Sequence, residues 1–218
     1  LDDSNDPFEG INRASFRLNL TLDKYLIKPI AQTYLYVPSP VRTGIRNFLS
    51  NLSAPITLAN DALQGEMARA GTTTSRLAIN TTLGVGGLFD VASEMGLPAH
   101  REDFGQTLGV YGVGEGIYLY FILLGPSNAR DFSGTIIDLA FSPLTYTDHR
   151  TNNTLAQQIL HGLDLRAENI DLLDDIERSS VDFYASIRSL YQQNRRAAIA
   201  NGALDIDALP DIDDLDDF

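Results

Sequence analysis

Phe104 to Pro143 reads FGQTLGVYGVGEGIYLYFILLGPSNARDFSGTIIDLAFSP, and the rest of the chain is organised around it. Gly105, Gly109, Gly112, Gly114 and Gly116 lead into an apolar run from Ile117 to Leu124, broken by Gly125-Pro126. Glycine lets backbone pass close to backbone or bend without strain. The apolar run is eight residues long, whereas a transmembrane helix needs roughly 20. The run is therefore a core strand, a piece of core helix, or a hairpin dipping into an apolar medium.

Downstream, Ser127 to Phe141 reads as a helix with Ile136, Ile137, Ala140 and Phe141 inward. Thr145 to Thr151 is polar and loop-like. Two long amphipathic helices follow. The first carries Leu155, Ile159, Leu163, Arg166, Ile170 and Leu173. The second is capped by Ser179 or Ser180, shows Phe183, Ile187, Leu190, Tyr191 and Ala198, and stops at Asn201-Gly202.

Upstream, Asp6-Pro7-Phe8-Glu9 has the form of a capping box. Phe8, Ile11, Ser15, Leu18, Leu22 and Leu26 then recur at helical spacing, with Arg13 and Arg17 opposite, until Pro29 interrupts. Ser39-Pro40 starts a helix with the stripe Val41, Ile45, Phe48 and Leu52, and Ala54-Pro55 starts a separate short one. Glu66 to Leu83 is helical, with Met67, Ala70, Thr74, Leu77 and Thr81 on one face. Gly84-Val85-Gly86-Gly87 ends it, and Leu88 to Met95 forms a short helix. No clean alternating strand is visible. The fold class is all-α, or mostly α.

The net charge is −13, but the last fourteen residues hold seven aspartates and no lysine or arginine, so the remaining body carries −6. Such a chain is unsuited to nucleic acid, whose binding rests on Lys and Arg. The chain divides into a linker (1–5), a helical domain (6–203) and an acidic, disordered tail (204–218). It has no cysteine, which excludes disulfides and thiol catalysis.

No residue set has the pattern of an enzyme, and none calls for a cofactor or metal. Gly112-Val113-Gly114-Glu115-Gly116 is neither a dinucleotide fingerprint nor a P-loop; it reads as tight packing or a hinge. No Gly-x-Ser-x-Gly elbow occurs. His100, His149 and His161 are not at ligand spacing. Glu102 and Asp103, near Arg101, read as a solvated helix start rather than as a general-acid pair. Arg42, Arg46, Arg69 and Arg76 fit contact with phosphate headgroups or partner carboxylates, or a solvated helix face. Tyr111, Tyr118, Tyr120 and Phe121 fit a membrane-interface belt or a core equally.

Four blocks carry a resemblance. They are Asn5-Asp6-Pro7-Phe8-Glu9-Gly10-Ile11-Asn12-Arg13; Asn80-Thr81-Thr82-Leu83-Gly84 with Gly86-Gly87 and Asp90-Val91-Ala92; Phe104-Gly105, Thr107-Leu108-Gly109, Tyr111 to Gly114, Gly116, Tyr118, Gly125 and Arg130-Asp131; and Arg166-Ala167 with Ile199-Ala200-Asn201-Gly202. In this order and spacing they resemble the MlaA/VacJ family of Gram-negative outer-membrane lipoproteins, over residues 5–202. The charged segment Ala99 to Asp103 and the aspartate-rich end depart from the family pattern.

The resemblance implies a single ring-like helical body with a glycine-rich hairpin region. It implies a lipid anchor on a cysteine upstream of Leu1, and a place in the outer membrane facing the periplasm. The implied function is removal of mislocalised phospholipid from the outer leaflet through an amphipathic channel. The implied partners are phospholipid, a trimeric outer-membrane porin and a soluble periplasmic lipid carrier. Asn47 and Phe48 match an early family position expected to support the channel. Gly84, Gly86, Gly87, Gly112, Gly114 and Gly116 are expected at its mobile edge, with Tyr111 and Phe121 on the lipid path. The alternative is a periplasmic scaffold or adaptor that binds no lipid and uses its amphipathic helices for protein contacts.

Overall fold

A computed structural model describes residues 5–201. Gly202, most of the expected linker and the whole acidic tail lie outside the described residues. The chain is helical, with one small hairpin. Its elements run α1 (Glu9–Leu22), a π-helical turn (Asp23–Ile27), α2 (Lys28–Tyr34), α3 (Ser39–Leu63), α4 (Met67–Thr82), α5 (Val91–Glu94) and α6 (Phe104–Val110). After β1 (Tyr118–Phe121) and β2 (Gly125–Asn128) come α7 (Ala129–Asp138), α8 (Arg150–Glu168), α9 (Ile170–Ser179) and α10 (Phe183–Ile199). Helices α3 and α4 pack together, as do α6 with α7 and α2 with α8; α8 returns to α3, and α10 to α6. This circuit encloses a cleft.

The apolar stripes read from the sequence point the other way. Phe8, Ile11, Leu18 and Leu26 are exposed, as are Val41 and Phe48 on α3, and Ile136 and Ile137 on α7. On α4, Met67, Thr74 and Thr81 face outward, while Ala70, Thr73 and Asn80 are buried. The inner face of α7 is Arg130, Asp131, Gly134 and Asp138. Among the described residues, nine hydrophobic side chains are buried against fifteen polar or charged ones, so burial of polar groups rather than of hydrocarbon organises most of the body. No described helix is long and apolar enough to cross a membrane.

The exception is an aromatic knot where α1, β1 and α10 meet. Phe16, Tyr118, Tyr120 and Tyr184 are its centre, with Leu20, Phe183, Ile187 and Tyr191 around them. Phe16 meets Tyr120, Phe183 and Tyr184 edge-on at 5.2, 5.4 and 5.5 Å, the geometry that ring quadrupoles favour. Tyr118 and Tyr120 are thus core residues. Asp6 does not cap α1, and Glu9 turns to Arg13 instead. The Asp6 carboxylate enters the knot, where it accepts from the Tyr184 hydroxyl at 2.5 Å and from Arg188 at 3.0 Å.

The run Ile117–Leu124 is largely a strand and the tip of a hairpin. Tyr118 pairs with Asn128, and Phe121 with Gly125. An isolated two-stranded ribbon is marginal, and the outer edge of β1 would leave backbone groups unpaired. Three asparagines seven residues apart fill that edge. Asn5 O accepts from Tyr118 N–H at 2.8 Å. Asn12 donates to Tyr118 O at 3.1 Å and accepts from Tyr120 N–H at 2.9 Å. Asn19 accepts from Leu123 N–H at 2.9 Å. The amide side chains of α1 thus act as a third strand.

Other elements differ locally from the expectation. Pro55 lies inside the continuous helix α3 and does not start a new one; on either side of it α3 is bonded to α4, through Asn51 to Thr81 and through Thr73 to Asp61. The helix expected over Leu88–Met95 shrinks to Val91–Glu94, capped by Asp90. Ser127 and Asn128 belong to β2, and Asn128 caps α7 through Asp131 N–H at 2.7 Å. The first of the two long C-terminal helices breaks at Asn169 into α8 and α9, and Asp182 rather than a serine caps α10. Asn201 takes the left-handed conformation, φ 52°, that ends a helix.

Helices α6 and α7 touch at glycine. A Cβ on Gly134 would stand 2.3 Å from Gly105 N, and one on Gly105 2.7 Å from the Asp131 carboxylate. Two outcomes are expected. Gly134→Ala should cost roughly 3 kcal/mol or more, because backbone cannot yield as a side chain can. Asn12→Ala should cost roughly 2–4 kcal/mol by stranding the buried Tyr118 carbonyl and Tyr120 N–H. Denaturant titration in mild detergent measures both; a loss under about 0.5 kcal/mol, within the range of ordinary surface changes, would refute either account.

Candidate functional site: a polar cleft inside the helical circuit

The cleft has a volume of about 510 Å³ and is walled by α3, α4, α7, α8, α10 and the segment before α6. Most of the residues that line it are polar or charged, and they come from helices that present a polar residue each turn. Thr57 comes from α3, Thr73, Arg76 and Asn80 from α4, and Asp131 and Asp138 from α7; the wholly buried Asn60 and Asp61 of α3 stand behind them, bonded to Asp138 and Thr73.

These groups form linked networks. Asn60 donates to Asp138 at 2.9 Å and accepts from Thr107 at 2.8 Å. Gln64 reaches both Thr107 and Glu102, and Arg69 pairs with Glu102 at 2.5 Å. Glu102 is buried, so it belongs to no solvated helix start. Asp103 does cap α6, through Gln106 N–H, and also takes both arms of Arg195 at 2.7 and 2.9 Å. Burial pushes the Asp103 carboxyl up, but Arg195 and Gln106 outweigh it and hold it at about 2. Arg195 continues to Asp131, which also accepts from Tyr191, Arg130 and Asn128.

At the other end, Arg76 grips Asp90 with two bonds of 2.9 Å, and Asn80 bonds Asp90 and the Ala92 N–H. Partial burial raises the Asp90 carboxyl, and bonds from Ser93, Arg76 and Asn80 overcome it, leaving it at about 2. Arg46 donates to Asp164 at 2.7 Å and pairs with Glu168. Arg42 bonds the Val37 carbonyl. The four arginines read as phosphate contacts or solvated groups are thus internal clasps.

Thr73, His100 and Asp61 stand together as hydroxyl, imidazole and carboxylate. Thr73 Oγ1 lies 3.2 Å from His100 Nε2, but both Asp61 oxygens lie 3.0 Å from that same nitrogen. A proton relay needs the carboxylate on the opposite ring nitrogen. Thr73 moreover donates to Asp61 directly at 2.6 Å. The arrangement satisfies a buried carboxylate and has no activated nucleophile.

Of the ten residues expected at a lipid path or hinge, Asn47 lies on the cleft wall, donating to Leu88 O at 3.2 Å. Phe48, its neighbour, points outward. Gly84, Gly86 and Gly87 form the loop that Asn47 holds. A Cβ on Gly84 would meet Phe89 O at 2.2 Å, and one on Gly87 the Asn51 side chain at 2.5 Å. Tyr111, Gly112, Gly114 and Gly116 lie elsewhere, between the end of α6 and the base of the hairpin, and Phe121 is at the tip end of β1, paired with Gly125. Gly112 and Gly116 have φ of 81° and 69°, and Gly112 and Gly114 have open space beside them. Phe121 stacks on Phe132 at 4.8 Å, and the exposed Tyr111 donates to Leu63 O.

The cleft residues that the sequence reading did not assign to the site include Asn51, Thr73, Asn80, Asp131, Asp138 and Arg195. Their signal was polar residues at helical spacing, as in Thr73, Arg76 and Asn80, which a search for apolar stripes passes over.

Comparison with known proteins places this architecture. The MlaA lipoprotein family model matches residues 4–198. The intermembrane phospholipid transport system lipoprotein MlaA of Escherichia coli K12 is 36% identical over 202 residues, covering 90% of this chain and 79% of that protein. Its counterpart in Haemophilus influenzae is 30% identical over 218 residues, covering 97% and 86%. An uncharacterised Rickettsia felis protein is 36% identical over 196 residues, covering 89% of this chain and 78% of its own. A solved structure, described as the structural basis for maintenance of bacterial outer membrane lipid asymmetry, superposes with a TM-score of 0.82 at 36% identity, covering 89% of this chain and 98% of that one. A family model that matches nearly all of the described residues, relatives at 30–36% identity along most of their length, and a shared fold together show that this chain belongs to the MlaA lipoprotein family.

Proposed function

We propose that this protein withdraws mislocalised phospholipid from the outer leaflet of the outer membrane and passes it through the cleft to a soluble periplasmic carrier. The observation that carries the proposal is the inversion of polarity. Charged and amide groups line the cleft, while leucine, isoleucine and phenylalanine side chains face outward from α1, α3, α7, α8 and the hairpin tip. An apolar exterior of this extent is stable where hydrocarbon or a partner covers it. A headgroup leaving water needs polar contacts along its route, and acyl chains need an apolar surface beside it. Both are available here, and no bond has to be broken.

Ile122, Leu123 and Leu124 at the hairpin tip, all exposed, supply apolar contact with acyl chains. The relatives' role in intermembrane phospholipid transport supports the same reading. A trimeric porin is the proposed partner for part of the apolar exterior, and the loop Gly112 to Gly116, which lies off the cleft wall, is the proposed mobile edge of the path, because Gly112 and Gly114 have open space beside them.

Native mass spectrometry of protein released in mild detergent, with lipid extraction in parallel, tests this. Co-purifying phospholipid is expected. A lipid-free monomer that stays soluble without detergent and fails to restore lipid asymmetry in cells lacking their own family member would support a lipid-independent scaffold instead. In the same cells, Gly112→Pro with Gly114→Leu should impair retrieval by at least about tenfold, equivalent to 1.4 kcal/mol on the limiting step. A stable double variant with full retrieval would remove the mobile edge from the proposal.

A further inference from the structure

The arginines on the cleft wall are Arg46, Arg76, Arg101 and Arg195. Three of them are neutralised by carboxylates: Arg46 by Asp164 and Glu168, Arg76 by Asp90, and Arg195 by Asp103 and Asp131. Arg101 is different. Among the described residues it has no carboxylate within ion-pair distance, and its Nη1 instead stands 3.0 Å from His161 Nε2. Arg101 comes from the charged segment before α6, and His161 from α8, so the contact bridges two walls of the cleft.

The surroundings favour a neutral imidazole. Burial, then the positive charge of Arg101 and of Arg46, lower the His161 pKa, against the opposing pull of Asp164. A neutral His161 accepts from the guanidinium and fixes it without cancelling its charge. Asp138 on α7 senses Arg101 through space, but its oxygens are engaged by Phe104 N–H and Asn60. The other N–H groups of Arg101 have no acceptor among the described residues. An arginine presented in this way is suited to forked, charge-assisted bonds to phosphate oxygens.

We propose that Arg101, held against His161, is the point in the cleft that receives the phosphodiester of a phospholipid headgroup. This rests on the lipid-transfer reading above and assigns it a residue. Arg101 is the contact residue, and His161 is a positioning residue that acts through it.

The test uses the whole chain in mild detergent. Binding of a short-chain phosphatidylethanolamine, of diacylglycerol with the same chains, and of inorganic phosphate is measured for wild type, Arg101→Gln, Arg101→Lys, His161→Gln and His161→Leu. Wild type should bind the phospholipid well above diacylglycerol. Arg101→Gln should weaken phospholipid binding by at least about tenfold, the effect of one lost charge-assisted bond, and leave diacylglycerol binding unchanged. Arg101→Lys should be intermediate. His161→Gln retains an acceptor and should bind close to wild type, whereas His161→Leu should follow Arg101→Gln. Thermal melts should match throughout, since Arg101 is exposed and outside the carboxylate networks.

Equal binding of phospholipid and diacylglycerol by wild type, or undiminished binding by Arg101→Gln, would overturn the assignment while leaving lipid transfer intact. Binding of neither lipid by wild type would instead bring down the lipid reading itself. Displacement of phospholipid by inorganic phosphate at equal concentration would show a free-anion site and overturn the headgroup assignment.

Discussion

Everything in this fold depends on the matching of buried carboxylates. Asp131 shows the requirement in one place. It is buried and accepts from Asn128 at 2.8 Å, Arg130 at 3.0 Å, Tyr191 at 2.5 Å and Arg195 at 3.0 Å. Those partners come from β2, α7 and α10, so one charge locates three elements. A buried charge left alone is costly enough to unfold a domain. The same demand repeats at Asp61, Glu102, Asp138 and Asp164, each buried and each met by groups from a different helix. Hydrophobic burial, the usual driving force of a water-soluble fold, is concentrated in the aromatic knot.

This arrangement links architecture to environment. Apolar side chains turned outward forgo burial within the protein and are stabilised by a medium that accepts them. Many of the polar groups turned inward are committed to partners on other elements, as Asn60 is to Asp138 and Arg195 to Asp103. Strain is placed where such an exterior is most exposed. Val85 and Leu123 both sit in left-handed backbone, with φ of 54° and 68°, and both are exposed. For a β-branched residue such as Val85 that conformation is a true outlier, and it is held by the tight Gly84–Phe89 loop.

Much of the helical content was legible. The starts at Ser39 and near Glu66, the interruption near Pro29 and the end at Asn201 follow from cap chemistry and proline sterics, which act locally. Four short motifs in order were enough for the family. The hairpin was only half legible, because β1 lacks a polar face: Tyr118 and Tyr120 bury in the knot while Leu119 and Phe121 are only partly covered. Its free edge is paired by Asn12 and Asn19, far away in sequence, which no local pattern announces. Pro55 was read as a start because proline suits a first turn; its tolerance inside α3 depends on packing.

The sequence by itself determined where helices form, where glycine must relieve the backbone, and that the chain belongs among phospholipid-system lipoproteins. The tertiary structure alone decided which face of each helix turns inward. Helical periodicity separates two faces but does not say which one meets water. That choice follows from pairing energies between residues far apart, such as Arg195 with Asp103 and Asn60 with Asp138, and these exist only once the circuit of helices has closed.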